Sequence, residues 1–325
     1  MAVTRAVPIG IGHYLPTRIV ENSEFEATLD TSDAWIRSRS GIERRHFAAE
    51  GELTSDLALK AAQAALTDAG LTADDVDAIV VATSTPDRTF PSNASILQGA
   101  LGMKRGFAFD IQAVCAGFVF ALANANALII SGQAKTVLVV GAETFSRIMD
   151  WTDRATCVLF GDGAGALVLQ AEDASGANTD RGILSTDLNS DGTLTDLLYV
   201  DGGVSSTQTT GYLRMQGQEV FKHAVTKLAA TGETALSRAG LTAADIDWLV
   251  PHQANLRIIK STANKIGLPM EKVVLTVQNH GNTSAASIPL ALSVGAANGQ
   301  IQRGDLLLIE AIGGGLAWGA AALRW

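Results

Sequence analysis

Several features that would indicate particular classes of protein are scarce or absent in this sequence. Only two cysteines, Cys115 and Cys157, occur among 325 residues, and no CxxC pair is present. A disulfide framework is therefore excluded, and with no secretory signal pattern at the start the chain is expected to be cytoplasmic. No HExxH motif or paired Cys/His spacing occurs either, so no metal site is predicted.

Basic residues are also fewer than acidic ones. Lys and Arg together number 24 against 33 Asp and Glu, which gives a net charge of −9, and there are no long runs of like charge. Electrostatic binding to nucleic acid or to an anionic membrane is therefore not expected, because both require a basic surface. A small basic docking site for a partner is still compatible with this composition.

Two long stretches lack charged residues. Residues 111–134 contain none, and residues 273–302 contain only His280 as a titratable side chain. Polar residues interrupt both stretches, so neither is expected to span a membrane. A helix without a charged face must be covered by protein on all sides, which predicts two central helices, each between two sheets. Residues 54–70, by contrast, have a polar and an apolar side and are predicted to form an outer helix.

An internal repeat divides the chain. The sequence AGLTADDVDAIVV at 69–81 returns as AGLTAADIDWLVP at 239–251, with eight identities in thirteen positions at an offset of 170. This period is too long for a solenoid and indicates two duplicated halves, assigned to residues 1–175 and 176–325. With a central helix in each half, the predicted architecture has five layers, αβαβα. Residues 172–208, rich in Asp, Gly, Ser and Thr, are predicted to be irregular and to contain the boundary.

Cys115 is the first candidate for chemistry. It follows the strand-like GFAFDIQAV and precedes the helix-like AGFVFALANANALI, which places its thiol in the first turn of a helix. Unpaired N–H groups and the helix dipole there favour a thiolate, the nucleophilic form of cysteine. The alternative is a small buried apolar residue, as free cysteines often are. Cys157, in the β-like run TCVLFGDGAG, is predicted to be a core residue.

Two polar residues of the second half follow predicted strands. His252 comes directly after a buried strand, at the edge where α/β folds place their sites. Its repeat mate is Ala82, so an imidazole occurs in one half only. Asn282 lies between a strand and a central helix and is assigned, at nearly the same offset, to the position of Cys115; helix capping is its alternative role. His280 could compete with Asn282 for a functional role.

Three segments are rich in glycine. Gly10-Ile11-Gly12 and GDGAGA at 161–166 lack the complete dinucleotide-binding fingerprint, and no P-loop is present, so no nucleotide cofactor is predicted. Gly313-Gly314-Gly315 follows a predicted strand, and its backbone can approach a reacting group closely. Together with the N–H of Cys115, this turn is a candidate oxyanion hole.

These motifs together resemble a known family. VCAGF around Cys115, WLVPHQANLRI around His252, NHGNTSAAS around Asn282 and the terminal GGGLAWG are similar to β-ketoacyl-acyl carrier protein synthase III, the initiating condensing enzyme of bacterial fatty-acid synthesis in the thiolase superfamily. The resemblance covers essentially the whole chain. It implies a thiolase-like, five-layered αβαβα fold and a homodimer.

The resemblance also implies a reaction. Cys115 would take the acyl group of a short acyl-CoA, with the carbonyl oxygen held by the N–H groups of Cys115 and Gly314. His252 and Asn282 would donate hydrogen bonds to the thioester oxygen of malonyl-acyl carrier protein while it decarboxylates. The resulting carbanion would attack the acyl group to give β-ketoacyl-acyl carrier protein. Acyl-CoA is a substrate here, and no cofactor is implied.

Further binding residues are implied by their positions in the family pattern. Those around CoA are Thr31, Trp35, Arg39, Arg154 and Asn255. Those expected to dock the acidic carrier protein are Lys222, Arg257, Lys260 and Lys265, while Asn264 replaces a lysine often seen there. Phe90, contributed by the other subunit of the dimer, and Phe145 are expected to close the acyl pocket. This favours a short primer such as acetyl, although Ile312 replaces a residue that is often aromatic.

Other functions are compatible to different degrees. A degradative thiolase needs a second cysteine near the terminal glycine-rich loop, and residues 305–325 contain none; an elongating synthase has a second histidine where this chain has Asn282. A secondary-metabolism acyltransferase or condensing enzyme of the same superfamily shares the triad and stays an alternative. A non-catalytic acyl-CoA or carrier-protein binding module is the remote alternative, because Cys115, His252 and Asn282 are all intact.

Overall fold

The secondary structure comes from a computed structural model that describes residues 3–325. In this range the strands are β1 (Val3–Tyr14), β2 (Arg18–Glu21), β3 (Arg44–Phe47), β4 (Ala78–Ala82), β5 (Phe107–Ile111), β6 (Thr136–Thr144), β7 (Asp162–Ala174), β8 (Gly182–Ser190), β9 (Leu198–Val200), β10 (Leu213–Met215), β11 (Trp248–Pro251), β12 (Leu306–Gly313) and β13 (Ala317–Arg324). The helices are α1 (Asn22–Glu26), α2 (Asp33–Ser40), α3 (Thr54–Ala69), α4 (Asn93–Leu101), α5 (Gly117–Ile130), α6 (Gly217–Arg238), α7 (Leu256–Ile266), α8 (Val277–His280) and α9 (Ser287–Ala297).

The first sheet is formed by the N-terminal half. Its strand order is β1-β7-β6-β4-β5, with β6, β4 and β5 parallel and the β1–β7 and β7–β6 pairs antiparallel. Successive residues of β4 face opposite sides: Ile79 and Val81 pack in the cluster under α3, whereas Val80 packs in the cluster around α5. Both faces of this sheet are therefore covered, which explains the unbroken apolar run in β4.

The second sheet is formed by the C-terminal half and repeats this order. Its strands run β11-β12-β13-β8, which correspond to β4-β6-β7-β1 of the first sheet. As in the first sheet, the β11–β12 pair is parallel and the next two pairs are antiparallel. β5 has no full counterpart among the described residues; at its place Val273 forms an isolated parallel bridge with Leu249.

The two uncharged stretches form α5 and α9, and both helices lie between the sheets as predicted. α5 contacts β4 and β6 on one side and β12 and β13 on the other, while α9 contacts β1, β7 and β11. α3 and α4 cover the outside of the first sheet, α6 covers the outside of the second, and α7 packs on α6. The predicted five-layered αβαβα fold is therefore confirmed. Within residues 3–325, no helix is both long and apolar enough to cross a membrane.

The outer helix α3 shows how the local sequence produces these elements. Leu57, Ala61 and Ala65 are spaced by four residues, lie on one face and are fully buried. At the start of the helix, the carboxylate of Asp56 accepts a hydrogen bond from the N–H of Leu53 at 2.8 Å. At its end, Gly70 adopts a left-handed conformation with φ of 67°, which stops the helix.

The correspondence between the two halves corrects one prediction. Val114 and Ser284, separated by 170 residues, both have positive φ angles, 48° and 49°, in the turns before α5 and α9. Cys115 therefore corresponds to Ala285 and not to Asn282. The prediction was wrong because the offset used for that pair was a few residues too short.

The segment predicted to be irregular is more regular than its composition indicates. Residues 172–208 include β8, which pairs along its length with β13, and β9. Because β8 is an edge strand with many polar residues, its sequence resembles a loop. The last strand of the first sheet ends at Ala174 and β8 begins at Gly182. Cys157 is buried as predicted, but it lies in a turn and not in a strand.

The GDGAGA segment has a packing role. It forms the start of β7, which faces α9. A Cβ atom added to Gly165 would lie 2.6 Å from the Cβ of Pro289 in α9, closer than side chains approach one another. The glycines therefore allow the central helix to lie directly on the sheet.

Candidate active site

The candidate nucleophile lies at the carboxyl end of the first sheet. After β5 ends at Ile111, the chain turns at Val114, whose positive φ is rare for a β-branched residue. This turn places Cys115 in a 3₁₀ helix, Val114–Ala116, that leads directly into α5. Cys115 is thus at the start of a helix, where the sequence predicts it.

The charge of the Cys115 thiol differs from the prediction. The residue is 3% exposed, and burial raises the pKa of its thiol to about 12; the Ser284 hydroxyl lowers this pKa and the Glu143 carboxylate raises it further. The helix dipole is worth only about 0.3–1 kcal/mol, less than one pKa unit. Desolvation therefore outweighs the dipole, and the thiol is protonated at neutral pH.

The terminal glycine turn packs against the nucleophile. Gly313 is the last residue of β12, and Gly314 and Gly315 follow it in the turn to β13. A Cβ added to Gly313 would lie 2.6 Å from the backbone nitrogen of Cys115, and one added to Gly314 would lie 2.6 Å from the carbonyl oxygen of Leu198. Only glycine fits these positions, and the turn brings its backbone beside the N–H groups at the start of the Cys115 helix.

His252 is held immediately after β11. Its N–H donates to the carbonyl oxygen of Glu310 on β12 at 2.8 Å, and its Nδ1 lies 2.7 Å from the Oγ of Ser287, the first residue of α9. Burial lowers the pKa of His252 to about 3. The imidazole is therefore neutral at physiological pH and has one N–H group.

Asn282 is fixed by both its backbone and its side chain. Its N–H donates to the carbonyl oxygen of Leu159 at 2.9 Å, and its carbonyl oxygen accepts from the N–H of Gly161 at 3.0 Å. Its side-chain Oδ1 accepts from the N–H of Ser284 at 2.9 Å, a cap on the turn before α9. The capping alternative is thus observed, and the amide N–H groups of the same side chain are left for a ligand.

One short segment brings these residues together. Asn282 begins it, Ser284 lies beside the Cys115 thiol, and Ser287 contacts the ring of His252. Cys115, His252 and Asn282 are exposed by 3%, 5% and 6%, so all three lie below the surface. A buried thiol and two neutral hydrogen-bond donors that are linked through one segment can form an acyl thioester and stabilise an oxyanion.

His280 occupies a different environment from Asn282. Its ring packs edge-on against His46, with 6.5 Å between centroids. Burial, with smaller contributions from His46 and His13, lowers the pKa of His280 to about 4. Among residues 3–325, no group of three or more His, Cys, Asp or Glu side chains is arranged to hold a metal ion.

A cleft of about 1490 Å³ opens beside the turn that carries the nucleophile, although Cys115, His252 and Asn282 themselves are not part of its lining. Val114 and Gly314 form part of its lining next to Cys115, and Phe145 forms another part. Phe145 is buried and stacks on Phe160 with 4.9 Å between ring centroids. Phe90 is 82% exposed and does not line the cleft within the chain. Ile312 is buried beneath the glycine turn.

Most of the residues expected around CoA lie together on one surface. The ring of Trp35, on α2, has the guanidinium carbon of Arg39 5.9 Å and that of Arg154 5.3 Å from its centroid. The hydroxyl oxygen of Thr31, just before α2, is buried without a hydrogen-bond partner. Asn255 caps the neighbouring helix α7 by accepting from the N–H of Ile258 at 2.9 Å.

The four basic residues expected to dock a partner are exposed on two packed helices. Arg257, Lys260 and Lys265 are on α7, which has no acidic residue. Lys222 is on α6 and forms a 2.6 Å ion pair with Glu219. The positive surface is therefore mainly that of α7.

Three supporting residues were not found from the sequence. Ser287 and Gln253 hold His252 and its loop, and Glu143 is buried behind the cleft, accepting hydrogen bonds from Ser84 and Thr85. Burial raises the pKa of Glu143 to about 7. The signal for Glu143 is a single carboxylate that ends the apolar run VLVVGAE; Ser287 gives no signal, because it is one of many small residues in α9.

Two duplicated α/β halves that enclose a pair of uncharged helices, with a thiol from one half and an imidazole and a carboxamide from the other, define the thiolase-like class. Comparisons with known proteins agree. Family models described as 3-oxoacyl-[acyl-carrier-protein (ACP)] synthase III and its C-terminal part match residues 109–192 and 236–325. β-Ketoacyl-[acyl-carrier-protein] synthase III of Ruegeria pomeroyi is 74% identical over 321 residues, covering 99% of each chain; that of Jannaschia sp. is 70% identical, covering 99% of this chain and 100% of the relative.

Solved structures give the same result. 3-Oxoacyl-[acyl-carrier-protein] synthase III from Aquifex aeolicus has a TM-score of 0.93 at 45% identity, covering 98% of this chain and 100% of its own. The priming β-ketosynthase of the R1128 polyketide pathway has a TM-score of 0.92 at 34% identity, covering 99% of this chain and 96% of its own. The chain belongs to the β-ketoacyl-acyl carrier protein synthase III family. It is a condensing acyltransferase that performs the initiating condensation of fatty-acid synthesis.

Proposed function

We propose that this enzyme condenses a short acyl-CoA, preferably acetyl-CoA, with malonyl-acyl carrier protein to give β-ketoacyl-acyl carrier protein, CoA and CO₂. The observation that supports this most is the segment 282–287, which contains Asn282, contacts His252 through Ser287 and passes beside Cys115. Two neutral donors next to a thiol suit a reaction in which negative charge develops on a carbonyl oxygen.

In the first step, the sulfur of Cys115 attacks the carbonyl carbon of the acyl-CoA thioester. The carbonyl oxygen, negative in the tetrahedral intermediate, accepts hydrogen bonds from the N–H groups of Cys115 and Gly314. The C–S bond to CoA then breaks, and CoA leaves as the thiol with the proton that Cys115 has lost. The close packing of Gly313 against the backbone nitrogen of Cys115 supports this assignment, because Gly314 is the next residue of the same turn.

In the second step, the carboxylate of malonyl-acyl carrier protein leaves as CO₂. The electron pair of the broken C–C bond forms an enolate, whose oxygen accepts hydrogen bonds from His252 and Asn282. The enolate carbon attacks the acyl group, the C–S bond to Cys115 breaks, and the thiolate takes a proton from solvent. Burial keeps the imidazole of His252 neutral. Its N–H group can therefore donate this hydrogen bond throughout the step and keep its proton.

The CoA nucleotide is proposed to bind at Trp35. Its adenine would stack on the indole, near the guanidinium groups of Arg39 and Arg154. The same guanidinium groups would attract the phosphates. The buried, unpartnered hydroxyl of Thr31 supports a ligand at this surface. Asn255 is assigned to the same subsite by the family pattern alone, since its side-chain oxygen is used as a helix cap.

The proposed protein partners are the acidic carrier protein and a second copy of the chain. Arg257, Lys260 and Lys265 of α7, with Lys222 of α6, give the docking surface for the carrier protein. The 82% exposure of Phe90 and the position of β5 at the edge of its sheet support a homodimer. A cytoplasmic location is part of the proposal, and the reaction as written needs no cofactor.

A second candidate function keeps the first step and changes the acceptor, as in secondary metabolism. The observation behind it is the similarity to the R1128 priming β-ketosynthase, which acts in a polyketide pathway; this similarity concerns the type of pathway and leaves the acceptor open. The discriminating experiment is mass spectrometry of the intact protein, first with acetyl-CoA and then with malonyl-acyl carrier protein. We expect Cys115 to gain an acetyl group that the second addition removes as acetoacetyl-acyl carrier protein. An acetyl group that forms but is not transferred would favour the second candidate, and no acetylation would reject both.

A further inference from the structure

Ser287 is the first residue of α9. Its side chain is fully buried and contacts His252 at the end of β11. The Oγ of Ser287 lies 2.7 Å from the Nδ1 of His252 and accepts a hydrogen bond from the N–H of Gln253 at 3.3 Å. These two contacts decide how the proton of the hydroxyl is used.

The side chain of Gln253 is held by hydrogen bonds, and these fix the direction of the backbone N–H of the same residue. The side-chain Nε2 donates to the carbonyl oxygens of Pro251 at 2.8 Å and Val274 at 3.1 Å. The side-chain Oε1 accepts from the N–H groups of Thr276 at 2.9 Å and Val277 at 3.1 Å. All the hydrogen-bonding positions of this buried amide are therefore occupied.

A serine hydroxyl has one proton to donate and two lone pairs that accept. Gln253 uses one lone pair of Ser287, so the hydroxyl proton is free to be donated, and the neighbouring acceptor is the Nδ1 of His252. A neutral imidazole has only one N–H group. If Nδ1 accepts the hydrogen bond of Ser287, the proton of the ring is on Nε2.

We propose that Ser287 is a positioning residue that holds His252 in the tautomer with its proton on Nε2. This rests on the proposed function, in which the imidazole donates a hydrogen bond to the enolate oxygen. The other tautomer would turn the lone pair of Nε2 toward that oxygen, and repulsion would replace the hydrogen bond. Ser287 therefore acts on the decarboxylation and condensation step and not on the transfer of the acyl group to Cys115.

The chain contains a matched control on the same helix. Ser293 of α9 is also buried, and its Oγ lies 2.7 Å from the Nδ1 of His13. Ser293→Ala thus removes the same kind of hydrogen bond from the same helix, at a position whose hydrogen bond is to His13 and not to His252. It separates a general effect on α9 from an effect on the tautomer.

The first measurement is kinetic and uses the full-length enzyme with Ser287→Ala and Ser293→Ala. For Ser287→Ala, we expect kcat of condensation to fall at least about tenfold, while KM for malonyl-acyl carrier protein and the rate of acetylation of Cys115 stay as in the wild type. Ser293→Ala should keep the wild-type values. A full kcat in Ser287→Ala, or an equal loss in both variants, would overturn the proposal.

The second measurement is ¹⁵N NMR of the wild-type enzyme labelled at histidine, with His252→Ala used to identify the signals. We expect a proton on Nε2 and none on Nδ1 of His252, and a shift of this distribution in Ser287→Ala. A proton on Nδ1 in the wild type would overturn the proposal even if the Ser287 variant did not fold. If the wild type carries the Nε2 proton but does not condense the two substrates, the proposed function fails and the tautomer assignment stands.

Discussion

At the scale of single residues, burial keeps the two reactive side chains uncharged. It raises the pKa of the Cys115 thiol to about 12 and lowers the pKa of His252 to about 3. Neither a thiolate nor an imidazolium is then present at neutral pH before substrate binds. Attack by the thiol must therefore be coupled to the loss of its proton, and the charge that has to be stabilised is the one on the substrate oxygen.

The first prediction is that Cys115→Ser abolishes formation of the acyl-enzyme and leaves the fold intact. Serine is close in size, but its hydroxyl is a far weaker nucleophile toward a thioester. Intact-mass measurement after addition of acetyl-CoA checks this, and Cys157→Ser, which replaces the other buried thiol, should still be acetylated. In the wild type, alkylation of Cys115 should rise about tenfold per pH unit through neutral pH; a plateau there would contradict the raised pKa.

The second prediction separates the two steps of the reaction. His252→Ala and Asn282→Ala should still be acetylated by acetyl-CoA but should decarboxylate malonyl-acyl carrier protein about a hundredfold more slowly or worse, since each removes one donor to the enolate oxygen. Release of labelled CO₂ measures decarboxylation directly. Normal release by both variants would show that the two donors have another role.

The third prediction concerns Glu310, a fully buried carboxyl on β12 whose two oxygens have no hydrogen-bond partner. Burial raises its pKa from 4.5 to about 8. An acid whose pKa is raised by folding favours the folded state fully below pH 4.5, and this contribution is lost as the pH rises toward 8.

Glu310→Gln removes this titration. The free energy of unfolding of the wild type should fall between pH 5 and pH 8 more than that of the variant, measured by denaturant unfolding at fixed protein concentration. Glu271→Gln, at an exposed position, is the control and should follow the wild type. Parallel pH curves for Glu310→Gln and the wild type would contradict the assignment.

At the scale of secondary-structure elements, α7 joins two parts of the proposed binding surface. Its N-terminus is capped by Asn255 and it contacts α2, the helix of Trp35. Its exposed face has Arg257, Lys260 and Lys265 and no acidic residue. A net charge of −9 for the chain does not prevent a positive field over this helix, because fields at short range depend on the nearest charges.

The fourth prediction is that Arg257→Glu raises KM for malonyl-acyl carrier protein and leaves acetylation by acetyl-CoA nearly unchanged. An exposed ion pair is worth about 0.2–1 kcal/mol, so its loss and replacement by a repulsion of similar size should raise KM about twofold to thirtyfold. Lys222→Glu should have a smaller effect, because Lys222 is already paired with Glu219.

Arg303→Glu is the control for this experiment. It makes the same change of charge just before β12, at the amino end of a strand whose carboxyl end carries the site. An equal rise in KM for Arg303→Glu would show that the effect comes from the net charge of the chain and not from a docking site on α7. An equal loss in both half-reactions for Arg257→Glu would contradict a docking role.

At the scale of the whole molecule, the acyl pocket depends on packing between segments far apart in sequence. Phe145 follows β6, stacks on Phe160 and lines the cleft, while Phe90 projects from the same half with its ring exposed. In the proposed homodimer, Phe90 of each subunit would close the cleft of the other. Two aromatic rings at the end of the pocket would then leave less room for a long primer than for acetyl.

The fifth prediction is that Phe145→Leu shifts the primer preference from acetyl-CoA toward butyryl- and octanoyl-CoA. Forcing extra methylene groups into a packed pocket costs about 1 to 3 kcal/mol, and a smaller side chain removes part of this cost. The measurement is kcat/KM for each CoA ester. Phe160→Leu is the control, because it disrupts the same stack without lining the cleft; an equal shift in both variants, or a wild-type preference for octanoyl-CoA, would contradict the short pocket.

The sequence predicted the architecture because the features that determine it are visible in the type and order of the residues. A helix without charges, such as α5 or α9, has to be central, and a repeat of 170 residues has to produce two similar halves. The same kind of signal located Cys115 and His252 at the ends of strands. What failed depended on burial: the charge of Cys115 follows from desolvation by the whole fold, and the contact of Ser287 with His252 joins residues 35 positions apart. Neither has a periodicity or a motif.

The matching left-handed turns at Val114 and Ser284 have a consequence for the history of this chain. Such a conformation is costly for a residue with a side chain, by about 1–3 kcal/mol, yet both copies have it, and only the first is followed by a reactive thiol. The turn was therefore inherited from an ancestral half before the two copies diverged. The two copies differ in the side chains that the turn carries, with cysteine at 115 where the second copy has alanine at 285. The same backbone conformation thus holds a reactive residue in one half and a core residue in the other.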